Sequence, residues 1–142
     1  VTLSNHYHAQ LLKGNIDFEN DTIKVILMNT TYTFDKDAHA TLSDVTSSQL
    51  STGNGYTQDD KTLSSVTVTE NDTSDKAIVT CDDPTWTASG GSIGPFGALI
   101  VYDDTTSDDT VVGCIDFGTD YTISDTGSWV AKDIVVEQQQ GS

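Results

Sequence analysis

The feature that most constrains this chain is a series of short runs rich in Val, Ile and Thr, each closed by Gly, Asn, Asp or Ser. β-Branched side chains suit a pleated, half-buried surface, and turn residues at this spacing leave little room for long helices. Thr22–Asn29 (TIKVILMN) is apolar on both faces, as a central strand is. Lys61–Glu70 (KTLSSVTVTE) reads as a Thr/Ser-rich strand with one polar face, and Lys76–Cys81 (KAIVTC) follows an Asn-Asp-Thr-Ser-Asp turn. The glycine-rich stretch Ser89–Gly97 leads into Ala98–Tyr102 (ALIVY). Asp103–Asp109 then reads as an acidic hairpin loop before Val111–Phe117 (VVGCIDF). Ser128–Val136 (SWVAKDIVV) reads as the last strand, and the tail 137–142 is expected to fray.

Helix signals are confined to the start of the chain. Ser4 can cap a helix that Gly14 closes, with Tyr7 facing Leu11 and His8 facing Leu12. Residues 30–60 are polar and irregular, with a helical turn at Ala40–Val45 and the Asn54-Gly55 hairpin signal. A loop of that length in a compact domain is often functional. The pattern predicts one all-β domain over residues 1–142. It should be a β-sandwich, jelly-roll or immunoglobulin-like, with a short helical segment within residues 1–14. Val1–Gly14 lacks the charged and apolar regions of a signal peptide, and no apolar run is long enough to span a membrane.

Charge narrows the function classes. The chain carries 22 acidic residues against 6 Lys and no Arg, a net charge of −16. Such a surface repels nucleic acid and anionic lipid, and without Arg it has no bidentate clamp for phosphate. Neither nucleic acid nor membrane is expected as a partner.

No catalytic constellation emerges, and no enzyme is expected. His6 and His8 lie two apart on a helix and point away from each other, so they cannot share an ion. His39, in the segment Asp35-Lys-Asp37-Ala-His39, reads as polar loop packing. Asp103, Asp104, Asp108 and Asp109 can supply oxygens to Ca²⁺ or Mg²⁺, but no EF-hand spacing is present. They read as a solvated acidic loop, as do Asp59-Asp60 and Asp82-Asp83. Ser92 has Gly90 and Gly94 at the offsets of a nucleophile elbow, yet a strand pattern follows it where an elbow needs a helix. Cys81 and Cys114 read as small buried hydrophobes. A disulfide between them stays open, because sequence alone does not set their Cα separation. No cofactor is expected.

Several segments, taken in order, carry a resemblance. They are Gly14–Phe18, Asp21-Thr-Ile-Lys24-Val25, Tyr32-Thr-Phe-Asp35-Lys-Asp37-Ala-His39, Gly53-Asn-Gly55-Tyr56-Thr57, Lys61–Leu63, Trp86, Ala98–Asp104, and Gly113-Cys-Ile-Asp116-Phe117-Gly118. Their order and spacing, from about residue 7 to residue 135, resemble small virion proteins of tailed bacteriophages, of the capsid decoration or cement type. Phe34 stands where that pattern would carry proline.

The resemblance implies a β-sandwich that assembles on the major capsid protein at the outer surface of a phage head, often as a homotrimer. It also implies thiols kept reduced in the bacterial host cytoplasm. Phe96, Tyr121, Trp129 and Tyr56 are candidate apolar anchors, and the segments Ser4–Gly14 and 30–60 are candidate shell contacts. A tail or head–tail connector component, and a carbohydrate-binding β-sandwich using Trp86 and Trp129, are the alternatives.

Overall fold

A computed structural model describes residues 1–139. In chain order the elements are β1 (Thr2–Leu3), α1 (Asn5–Leu12), β2 (Ile23–Met28), α2 (Leu42–Val45), β3 (Lys61–Thr62), β4 (Thr67–Asn71) and β5 (Lys76–Thr80). They continue with β6 (Thr85–Thr87), β7 (Ile93–Asp103), β8 (Thr110–Ile123), β9 (Ser128–Val130) and β10 (Val136–Gln139). Strands dominate, and the fold is all-β and sandwich-like. The main sheet runs β1-β8-β7-β2-β3, a second runs β10-β5-β4, and β6 and β9 form a two-stranded ribbon; all pairings are antiparallel. Among the described residues no helix is long and apolar enough to cross a membrane.

The run IKVILM explains the layering. Alternate residues of a strand point to opposite faces. Val25 and Leu27 join Leu99, Val101 and Val112 in the larger core, closed by Val66, Val79, Ile134 and Val136 from the other side. Ile26 and Met28 point the opposite way, into a second core with Ile100, Tyr102 and Val111. That second face is covered by the 30–60 segment: Val45 is buried there, and Tyr32, Phe34 and Leu42 pack around it. The long polar excursion is therefore a lid on a hydrophobic sheet face, which is why it stays ordered without strands of its own.

α1 is capped as expected. Ser4 Oγ accepts the Tyr7 N–H at 3.0 Å and donates to the Val111 carbonyl at 2.6 Å, tying the helix to β8. Tyr7 is buried, whereas Leu12 is left 89% exposed. The helical turn near residues 40–45 is α2, with Asp44 Oδ2 accepting the Thr41 and Ala40 N–H groups, followed by a 3₁₀ turn over Thr46–Ser48.

Three strand boundaries differ from the sequence expectation. Lys61–Glu70 is broken between β3 and β4, where Ser65 takes a positive φ of 54° that no strand tolerates. Ser128–Val136 is likewise broken between β9 and β10, with Asp133 at φ 59°. The tail does not fray through residue 139: Val136–Gln139 pairs with β5, and Lys76 meets Glu137 at 2.9 Å. Residues 140–142 of that expected frayed tail lie outside the described residues.

Candidate functional site

Most of the residues that carry the resemblance build turns and loop caps. Asp35 Oδ1 accepts the Asp37 and Ala38 N–H groups, which closes a tight turn and lowers the Asp35 carboxyl below its usual range. His39 Nδ1 accepts the Asp35 N–H at 3.1 Å and lies 2.8 Å from the Tyr32 hydroxyl. A backbone amide can only donate, so Nδ1 is the acceptor there and Tyr32 the second donor. Asp37 bonds to the Asn5 amide, joining this loop to α1. His39 is thus held as a loop fastener, and it stacks on Tyr32.

Gly53 and Tyr56 exchange both backbone hydrogen bonds around Asn54 (φ 56°) and Gly55 (φ 99°), the turn that the Asn-Gly pair forecast. Lys24 Nζ reaches the Asp59 carbonyl at 3.1 Å and Asp104 at 3.1 Å. Trp86 is buried, with Lys61 Nζ 5.3 Å from its ring centre, which removes its face from use as an open sugar platform. Asp116 Oδ1 accepts the Gly118 N–H at 2.9 Å, and Gly118 takes φ 71°.

Two surfaces flank the far end of the β7–β8 hairpin. On one side four aromatic rings gather: Trp129 lies 5.0 Å from Phe96, 5.3 Å from Phe117 and 5.7 Å from Tyr121, and Phe117 lies 5.8 Å from Tyr121. Phe96 is wholly buried beneath the others, so it is no interface anchor; it is the floor on which they stand. Tyr56 is buried too and is no anchor either. Phe117 and Trp129 are half-buried, Tyr121 is 40% exposed, and neighbouring Val130 is 39% exposed. Phe117, singled out as a motif residue, belongs in this group in place of Phe96. On the other side, Tyr32, Asp116, Gly118 and Asp120 line a polar groove of about 470 Å³. The two distant motifs around Tyr32 and Asp116 therefore converge on one site.

The acidic loop is not simply solvated. Asp103 is fully buried, and its Oδ1 accepts the Thr105 N–H at 2.9 Å. Asp108 bonds to His6 Nε2 at 2.7 Å and to the Thr110 hydroxyl at 2.5 Å. Burial opposes ionisation of Asp108, yet these donors together hold its carboxyl below the usual range. His6 is accordingly a partner of this loop. The signal for Asp103 was the unbroken apolar run ALIVY before it, which carries the strand one residue further into the core.

Asp21 Oδ2 accepts the Asp17 N–H at 3.0 Å, next to that loop. Among the described residues no three His, Cys, Asp or Glu side chains gather as a metal site. Ser92 enters β7 directly, and its carbonyl accepts the Asn54 side-chain amide at 2.9 Å. Cys81 and Cys114 are both free thiols. Burial pushes the Cys114 thiol up to about 12 and raises Cys81 as well.

Compared with protein-family models, curated proteins and solved structures, the chain matches none.

Proposed function

We propose that this chain is a non-enzymatic structural protein of a tailed-phage virion that decorates the outer face of the head, binding the major capsid protein and resisting outward pressure from the genome. The observation that carries the reading is the Phe117–Tyr121–Trp129 surface. Large rings held rigid by a buried Phe96 lose little conformational freedom on docking, and aromatic side chains dominate the centres of protein interfaces. Exposed Leu12 on α1 offers a further apolar contact. The order of the sequence motifs supplies the virion context. The 30–60 segment enters this reading mainly as the support of its own sheet face, with its outer groove at Tyr32 and Asp116 available for polar contacts.

Charge favours the exterior. Packaged DNA and a chain of net charge −16 repel at short range inside a shell, whereas outside it salt screens neighbouring copies beyond about 8 Å. A homotrimer at three-fold positions fits the same reading, and its acidic faces call for Lys or Arg on the capsid opposite them. Adding purified protein to heads that lack it tests the proposal. Saturable binding that raises the bursting temperature of filled heads supports it, and absence of binding counts against it.

The half-exposed rings of Tyr121 and Trp129 also favour a second reading, a carbohydrate-binding module that stacks sugars on them. Glycan-array binding in the absence of head binding would select that reading.

A further inference from the structure

Asp103 ends β7, and its Oδ2 is buried without a hydrogen-bond donor. Such an orphan acceptor in a folded interior calls for an explanation, because an ionised carboxylate there has lost its water and gained no partner. The register of the sheet shows what stands next to it. Ile23 pairs with Asp103, the Asp104 N–H donates to the Thr22 carbonyl at 2.9 Å, and the Thr22 N–H donates to Thr105 Oγ1 at 2.8 Å. The residue just before this ladder is Asp21, and its carboxyl faces that of Asp103.

A buried carboxyl that faces a second, half-buried carboxyl disfavours its own ionised form. We propose that the buried Asp103 carboxyl keeps its proton and donates it in a hydrogen bond to the Asp21 carboxyl, and that this bond latches the Asp103–Asp109 loop to the turn before β2. The proposal is independent of the docking reading.

The neighbouring charges are otherwise committed. Asp17 Oδ2 accepts from the Asn20 side chain at 2.7 Å. Asp104 is paired with Lys24 at 3.1 Å, and Asp108 with His6 at 2.7 Å on the far side of the loop. Lys24, on the neighbouring strand opposite Tyr102, is thus spent on Asp104. Burial first, and then Asp21, raise the Asp103 carboxyl well above the ordinary carboxylate range, against the Thr105 and Thr106 amides that lower it.

The sign follows from linkage. In the unfolded chain Asp103 ionises near an ordinary Asp value of about 3.9. In the folded chain it holds its proton to higher pH. The stabilisation is complete below the unfolded value and is lost as pH rises through the folded one. When the proton leaves, like charges meet in the interior and the loop is pushed outward.

The test is thermal unfolding from pH 5 to pH 9 for the wild type, Asp103→Asn and Asp21→Asn, with amide exchange of residues 103–109. Asp103→Asn cannot ionise. Asp21→Asn leaves Asp103 able to ionise but removes the facing acid and offers it a donor, so the pH dependence should vanish in Asp103→Asn and shrink in Asp21→Asn. The expected result is a variant-minus-wild-type difference in Tm that grows by several degrees as pH rises, with loop exchange quickening most in the wild type. A difference that stays flat across the range in both variants overturns the proposal. Repeating the series with CaCl₂ separates the other source of positive charge. Calcium that stabilises the wild type at pH 9 but neither variant would show that a divalent cation, not a proton, holds the pair, and would also overturn it. The His6→Asn variant should keep the pH trend, and losing it would place the titration at His6–Asp108 instead.

Discussion

The phenol of Tyr56 accepts the amide proton of Leu27 at 3.0 Å. It extends the hydrogen bonding of β2 past the point where the two-residue strand β3 stops, and its own O–H donates to Gln49 Oε1 at 2.7 Å. Tyr56 is buried, and burial raises its hydroxyl well above the usual phenol range, so it remains a neutral donor. Replacing it with Phe keeps the ring, orphans the Leu27 amide and removes one of the two donors to Gln49 Oε1, which keeps the Asp59 N–H at 3.3 Å. Tyr56→Phe should therefore cost about 1–3 kcal/mol in urea unfolding with an unchanged m-value. A cost near zero would mean that water replaces the phenol.

The turn that delivers Tyr56 is equally specific. Gly55 sits at φ 99°, and a Cβ there would lie 2.3 Å from the Thr87 carbonyl oxygen. Gly55→Ala combines a disfavoured backbone with a clash against the β6 backbone, so it should lose at least about 1–3 kcal/mol. Gly14, also at positive φ but with nothing nearby, should cost less on the same change. Comparing the two melting curves separates contact from conformation.

The thiols give a chemical check. With Cys114 buried and both thiols raised, neither is a reactive thiolate at neutral pH. A thiol reagent at pH 7.5 should label the native protein slowly and label two thiols in denaturant. An intact mass two protons lighter under non-reducing conditions would reveal a disulfide instead.

Much of this was legible in the sequence for a definite reason. Strands such as IKVILM and ALIVY announce themselves because both faces are buried, and Ser4, Gly14 and Asn54-Gly55 have local geometries that few other residues fill. The breaks at Ser65 and Asp133 escaped because positive φ at Ser or Asp leaves no compositional mark. Glu137–Gln139 escaped because a polar edge strand looks like a tail until its partner, β5, is known. The site was half legible. Tyr121 and Trp129 were visible as large aromatics, but nothing local distinguishes a floor residue such as Phe96 from the rings above it. Asp103 sits in a run of acids of which only Asp104 is exposed, and composition does not separate it from the others; only the strand pattern of ALIVY before it marks it as buried.

Separating docking from stability is the purpose of the aromatic variants. Tyr121 is 40% exposed, so Tyr121→Ser should cost less stability than truncating Trp129, about 1–2 kcal/mol for the ring contacts it gives up. Trp129 contacts Phe96, Phe117 and Trp86, so Trp129→Ala should destabilise by about 3 kcal/mol or more, less any relief from its partial exposure. Tyr121→Ser is therefore the cleaner probe of the surface, with circular dichroism to verify the fold.

The proposed decoration role is tested most directly by cryo-electron microscopy of tailed-phage heads that lack this chain, with and without the purified protein added. The account predicts density on the outer surface that saturates, contacts the capsid through the Tyr121–Trp129 face and is lost with Tyr121→Ser. Density confined to the lumen or the tail, or outer density that turns this face to solvent, would contradict it.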